Sequence, residues 1–424
     1  MTAAIDPFGL AGQVLDGQFR VDRFVGEGGF SIVYRGTHVG LSEPIAVKCL
    51  KLPQALGSAM VESFVRRFRD ESRLHYKLSQ GHLHIARSIA SGTTVAPATS
   101  ALVPYTVLEW LEGRSLAQDL DERRERGLGG RPLADAVKLL DSAVDALAYA
   151  HAQGVVHRDL NPGNLFLAST PSGVKLKVLD FGVAKVMADS WLAMGSAAKT
   201  LGNMRIFTPA FAAPEQFDER VGAVGPWTDV YAIALVFLEV LTGRTAMEGE
   251  HLGELAAMAV DPGKRPTPRA LGAEVGDEVE AALARAVAVN PGERPRDAGE
   301  MWGMLKHAMA ADAASGSLPA ARPGASWTPP PQFAEAPAPW TGRHAFGGTL
   351  RMPNAPGSDP PRLAGAGLQA AAPEAQRAAP ARMPAQINWA AEPIETPKLR
   401  APVVLLVLAA VVAAGALALV WLLH

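Results

Sequence analysis

Residues 157–166 read HRDLNPGNLF, and the reading of this decapeptide decides the fold. It sets a carboxylate, Asp159, five positions before an amide, Asn164, with a second amide, Asn161, between them. A carboxylate so placed suits accepting or orienting the proton of an attacking hydroxyl, and Asn164 suits a magnesium ion. Downstream, the apolar-rich segments LFLA and LKVL lead into Asp180-Phe181-Gly182. Asp180 adds the carboxylate that magnesium takes together with phosphate oxygens and water.

Upstream, Gly26-Glu27-Gly28-Gly29-Phe30-Ser31, with Val33 two residues on, separates two strand-like runs. Glycines let backbone N–H groups approach phosphate oxygens without side chains in the way. Alone, the same pattern fits an ordinary hairpin turn. Lys48, in Ala46-Val47-Lys48, follows Gly28 by 20 residues on the next strand, within reach of a nucleotide's α- and β-phosphates. Glu71 lies 23 residues further on, in a run (61–79) whose apolar residues Val61, Phe64, Val65 and Phe68 have helical spacing. It offers the carboxylate that would hold Lys48. The stretch TPAFAAPE, 208–215, completes the set.

In this order the segments resemble the protein kinase family, closest to the bacterial eukaryotic-like (Hanks-type) serine/threonine kinases, over about residues 17–308. The resemblance implies an α+β, two-lobed fold, with a β-rich N-lobe over about 17–110 and an α-helical C-lobe over about 111–308. It implies ATP and Mg2+ as cofactors and serine or threonine of proteins as acceptor, autophosphorylation included. By the same resemblance Gly26, Gly28, Ser31 (in place of a third glycine), Val33 and Ala46 line the nucleotide, and Lys48 pairs with Glu71. Leu108 is the gatekeeper, and Glu109 to Leu111 form the hinge that reads adenine. Asp159 is the catalytic base, and Asn164 and Asp180 are the metal ligands. Thr208 shapes the substrate pocket and contacts the base, Asp229 holds the catalytic loop's backbone, and Arg294 pairs with Glu215. Thr200 is the expected autophosphorylation site, with Arg158 placed to meet its phosphate. Phe207 departs from the glycine usual before Thr208.

Asn161 departs too. Serine/threonine kinases carry a lysine there, which neutralises the transferred phosphate in the transition state. Asparagine keeps a hydrogen-bond donor and loses the charge. A hydrogen bond to a charged group contributes roughly 1.5–3 kcal/mol, so losing it slows transfer roughly 10–100-fold without abolishing it. The sequence therefore reads as a working enzyme, with a non-catalytic, nucleotide-binding pseudokinase as the alternative. Small-molecule kinases also lack that lysine, but they lack the 208–215 segment as well, which favours a protein substrate. The same segment disfavours tyrosine kinases.

The rest of the chain sets the context. A net charge of −2 gives no electrostatic reason to expect nucleic-acid binding. The single cysteine, Cys49, excludes an intramolecular disulfide, and its place beside Lys48 on a strand points it into the core. His82 and His84 invite a metal reading, but the family places a structural turn there. Residues 311–398 hold 16 of the 33 prolines and read as a disordered Pro/Ala-rich linker, spanning roughly 50 Å as a coil. WTPPPQF within it offers a docking motif for a Pro-binding partner. Residues 401–423 carry no charge and are long enough for a transmembrane helix. Lys398 and Arg400 before it put the kinase lobes on the cytoplasmic side, in a bacterial inner membrane by style of sequence. Gly415 among alanines could support self-association.

Overall fold

The structure, a computed structural model, describes residues 6–29, 31–52, 58–181, 208–249 and 251–316, with the side chains of 58 and 59 left aside. Alternation of buried and open side chains dominates the first hundred residues and yields strands β1 (Val14–Leu15), β2 (Phe19–Glu27), β3 (Ser31–His38) and β4 (Glu43–Leu50). After helix α1 (Ser58–Gly81) come β5 (Ser88–Val95) and β6 (Leu102–Glu109). They join in one antiparallel sheet of order β1-β2-β3-β4-β6-β5.

Register gives this sheet two different faces. Val33 pairs with Lys48, and Ala46 with Leu108, so these four share the face that carries the glycine turn's neighbours. Ile45, Val47 and Cys49 alternate onto the other face and are fully buried. That face is covered by the segment before β2. Leu10 and Leu15 are 1% and 4% exposed, Asp6 accepts a hydrogen bond from Tyr34 Oη (2.6 Å), and Asp16 accepts one from Tyr105 Oη (2.5 Å). The folded unit thus begins well before the expected residue 17. Without this cover the face bearing Val47 and Cys49 would be wet. The segment shows no periodicity that could announce its role.

The second half is helical around one small sheet. β7 (Gly113–Ser115), α2 (Leu116–Glu125) and α3 (Leu133–Ala152) precede the hairpin β8 (Leu165–Thr170) and β9 (Gly173–Val178). β7 pairs with β8, so LFLA and LKVL are strands. Then come α4 (Pro214–Phe217), α5 (Pro226–Thr242), α6 (Leu252–Val260), α7 (Asp277–Ala286) and α8 (Ala298–Ser315). α5 is apolar all round, and Val230 to Leu238 are buried without a break, so it is the axis of this lobe. α8 runs past the expected end at 308 and takes residues 311–315 from the expected linker. Its Asp312 accepts from the N–H groups of Glu278 (3.1 Å) and Val279 (3.0 Å), capping α7 and fixing α8's last turns. Among the described residues no helix is long and apolar enough to cross a membrane. The rest of the linker, 401–423, Thr200 and Phe207 lie outside the described residues.

Candidate active site

The catalytic loop between α3 and β8 is held from below. Arg158 has φ 70°, a left-handed conformation that costs a residue with a Cβ ~1–3 kcal/mol. Asp229, on the first turn of α5, accepts from His157 N (2.7 Å) and Arg158 N (2.9 Å) and so stabilises that conformation. His151 Nε2 donates to the same carboxylate (2.9 Å), while its Nδ1 accepts from Ala298 N (3.2 Å). Burial disfavours charge on Asp229, but His151 and the His157 backbone donor reverse this and hold its pKa below the usual carboxylate range. Gln216 Nε2 caps the Arg158 carbonyl at 2.8 Å.

Above this platform three side chains close into a ring and a fourth, Asn164, joins it at Asp159. Asp159 Oδ1 accepts from Thr208 N (2.8 Å) and Thr208 Oγ1 (2.9 Å). Asn161 Nδ2 donates to Thr208 Oγ1 (3.0 Å), to the Asp159 carbonyl (3.1 Å) and to Asp159 Oδ1 (3.3 Å). Asn161 Oδ1 accepts from Gly163 N at 2.8 Å, capping the turn Pro162–Asn164. Asn164 Nδ2 donates to the Asp159 carbonyl (2.7 Å) and to Oδ2 (3.3 Å). Burial raises the Asp159 pKa above the usual range, and the bonds from Thr208 and Asn161 offset it only in part. A carboxylate of raised basicity that orients a hydroxyl suits a proton acceptor.

Lys48 does not meet Glu71. Its Nζ makes an ion pair with Asp180 Oδ2, and the Lys48–Glu71 pair expected from sequence is absent among the described residues. Burial disfavours charge on Asp180, and the Lys48 ammonium offsets it, holding the carboxyl below its usual range. Glu71, on α1, is not without a partner. Asp180 is left-handed at φ 62°. Phe181 is buried edge-on against His157 at 4.8 Å, and His157 Nε2 donates to the Leu179 carbonyl (2.7 Å). These contacts fix the segment that aims Asp180. The donor set fits magnesium. Asn164 spends its amide N–H groups on Asp159, which leaves its side-chain oxygen for a hard cation, and its main-chain carbonyl accepts from Leu179 N (2.9 Å), one residue before Asp180.

The sheet face bearing Val33, Ala46, Lys48 and Leu108, the expected gatekeeper, leads into the expected hinge, Glu109 to Leu111. Glu109 Oε1 accepts from Arg87 N (2.8 Å) and pairs with Lys177 Nζ (2.5 Å), tying the hinge to β9. In the glycine turn Gly28 N donates to Ser31 O at 2.7 Å, and a Cβ on Gly29 would meet nothing within 4 Å. Gly26 and Ser31 are buried at its two strand ends. Lys51, which sequence reasoning passed over, holds this turn through Glu27 Oε1 (2.5 Å) and the Gly28 carbonyl (2.7 Å). The one signal for it is its place three residues after Lys48.

Away from the cleft, Arg294 Nη1 and Nη2 grip Glu215 at 2.9 and 2.8 Å, with both side chains fully buried. Thr228 Oγ1 adds a bond to Glu215 (2.7 Å), and Tyr231 places its ring 4.8 Å from the guanidinium. Cys49 is buried and its thiol pKa is pushed up by burial. His82 Nε2 bonds Asp145 at 3.1 Å and its Nδ1 accepts from His84 N at 3.3 Å.

Comparison with known proteins follows the same lines. The protein kinase domain matches residues 19–296. The chain is 34% identical to the serine/threonine-protein kinase Pkn1 of Myxococcus xanthus over 282 residues, covering 66% of this chain and 36% of that protein. It is 30% identical to the probable serine/threonine-protein kinase PknB of Corynebacterium glutamicum over 293 residues, covering 68% of this chain and 42% of that protein. The chain therefore matches less than half the length of either relative. The crystal structure of the Mycobacterium tuberculosis PknI kinase domain shares the fold, with a TM-score of 0.52 at 22% identity over 70% of this chain and 99% of that one.

Proposed function

Because the chain belongs to the protein kinase family, we propose that it transfers the γ-phosphoryl group of ATP to serine or threonine hydroxyls of proteins, its own among them. The observation that carries this reading is that Asp159, Asn164 and Thr208 bond one another while Lys48 pairs with Asp180, whose neighbour Leu179 donates its N–H to the Asn164 main-chain carbonyl at 2.9 Å. The acceptor oxygen forms a bond to the γ-phosphorus as the bond to the bridging β-γ oxygen breaks, and ADP leaves. Asp159 orients the hydroxyl and takes its proton. Lys48 binds the α- and β-phosphates, and the Glu109–Leu111 backbone reads adenine. Magnesium, held by Asp180 and Asn164, supplies charge neutralisation at the phosphates when bound. Arg158 carries a buried Nε without a hydrogen-bond partner, a group that a phosphate on the segment before Thr208 would satisfy. That supports autophosphorylation at Thr200. Tethering to a membrane through 401–423 rests on its uncharged apolar run alone.

The test is incubation of the full-length chain with γ-labelled ATP, magnesium and a generic basic protein, followed by acid hydrolysis. Label in phosphoserine or phosphothreonine is the expected result. Nucleotide binding with no label in protein would overturn the reading in favour of a pseudokinase scaffold.

A further inference from the structure

Asn161 stands where the family carries a cation, and its surroundings assign it a different task. It is 6% exposed, and its amide is fully used. Both Nδ2 hydrogens go to three acceptors, Thr208 Oγ1, the Asp159 carbonyl and Asp159 Oδ1, at 3.0 to 3.3 Å. The oxygen accepts from Gly163 N at 2.8 Å. The orientation of the amide is forced. Gly163 N–H needs an acceptor, and the Thr208 hydroxyl, which gives its own hydrogen to Asp159, needs a donor. No N–H is left over for a phosphate oxygen.

We infer that Asn161 is a positioning residue: it locks Thr208 onto Asp159 and caps the Pro162–Asn164 turn, rather than neutralising the phosphoryl group. This deepens the proposed phosphotransfer and rests on it. A lysine at 161 has donors but no acceptor, so it cannot bond Gly163 N, and the turn that presents Asn164 loses its cap. Restoring the family's cation is therefore expected to slow the reaction. The sequence alone suggests the reverse, because there the substitution reads as a missing charge.

The experiment measures kcat and KM for ATP on the full-length chain and on four variants: Asn161→Ala, Asn161→Lys, Asn161→Ser and Thr208→Val. A serine at 161 can accept from Gly163 N and still donate toward Thr208, as short hydroxyl side chains do in turns. Expected for Asn161→Ala is a kcat lower by ~10–100-fold with a smaller rise in KM for ATP, since the group acts directly on the base and on the magnesium site only through the Pro162–Asn164 turn. Asn161→Ser recovers part of that loss, and Asn161→Lys is no faster than native. Adding Thr208→Val to Asn161→Ala costs far less than the product of the single losses, because one ring is broken either way. A faster Asn161→Lys enzyme would overturn the inference, as would independent effects of Asn161→Ala and Thr208→Val. An inactive native chain would instead sink the proposed function, so the two failures are separable.

Discussion

Among the ion pairs of the described residues, two have opposite settings. Arg294–Glu215 is fully buried, bidentate, and completed by Thr228 Oγ1 and by the carbonyls of Ala288, Val289 and Trp227. Lys48–Asp180 is single, with side chains 13% and 18% exposed. The first is closed, with every donor and acceptor used, so it can only hold structure. The second keeps room for exchange of partners, and only a pair of that kind can admit a phosphate or a cation between its members. Buried charge is a stability device where its bonds are complete and a chemical device where they are not.

That contrast can be broken or sharpened in order of expected effect. The largest is Asp159→Asn, which removes the proton acceptor while keeping its shape. Transfer should fall by ~10²–10⁴-fold with the melting temperature nearly unchanged. A large loss of melting temperature would place Asp159 with the structural pair instead. Next is Arg294→Ala, which leaves the Glu215 carboxylate buried and alone. It should destabilise the fold by ~3–5 kcal/mol in urea unfolding. A loss under ~1 kcal/mol would mean that water reaches the site and that the closed pair is no different from the open one.

A third test uses His75 on α1, which is buried with Nε2 on the Ala86 carbonyl at 3.2 Å. Burial lowers its pKa to about 4 against 6.5 for the free side chain, despite the opposing charge of Asp180. The unfolded chain then binds a proton that the fold refuses between these two values. The stability from neutral His75 is therefore complete above pH 6.5 and is lost progressively as pH falls toward 4, by up to ~3 kcal/mol. Denaturation at pH 7, 6 and 5 should show this slope in the native chain and a shallower one in His75→Leu. Equal slopes would contradict it. The smallest effect belongs to Lys51→Met, whose ion pair with Glu27 is half open to water. Releasing the glycine turn should raise KM for ATP by a few-fold, ~0.5–1 kcal/mol. An unchanged KM would show that the turn needs no clamp.

The sequence made the cleft legible because phosphate chemistry restricts which residues can stand at each place. The glycine turn, Lys48, the loop from His157 to Asn164 and Asp180 could be read in chain order. The strands and helices that carry them followed from periodicity, α5 and β4 most plainly. What escaped notice has a common physical cause. Residues 6–16 bury Leu10 and Leu15 through single contacts with a sheet face formed by residues up to ninety positions away, and no local pattern encodes that. β5, SIASGTTV, is poor in strand-typical apolar residues and owes its place to pairing with β6. Spacing shows which carboxylates can reach Lys48, not which of them the fold places against it. Asn161 was read as a deficit because residue type shows a missing charge and does not show an amide whose bonds are complete.

The most direct measurement pairs activity with stability on one variant, Asp180→Asn in the full-length chain. If the open ion pair is there for chemistry, label transfer from γ-labelled ATP falls by at least ~10³-fold, while unfolding free energy changes by less than ~1 kcal/mol. Transfer that survives the substitution, or a fold that fails together with it, would contradict the division of labour between the two pairs.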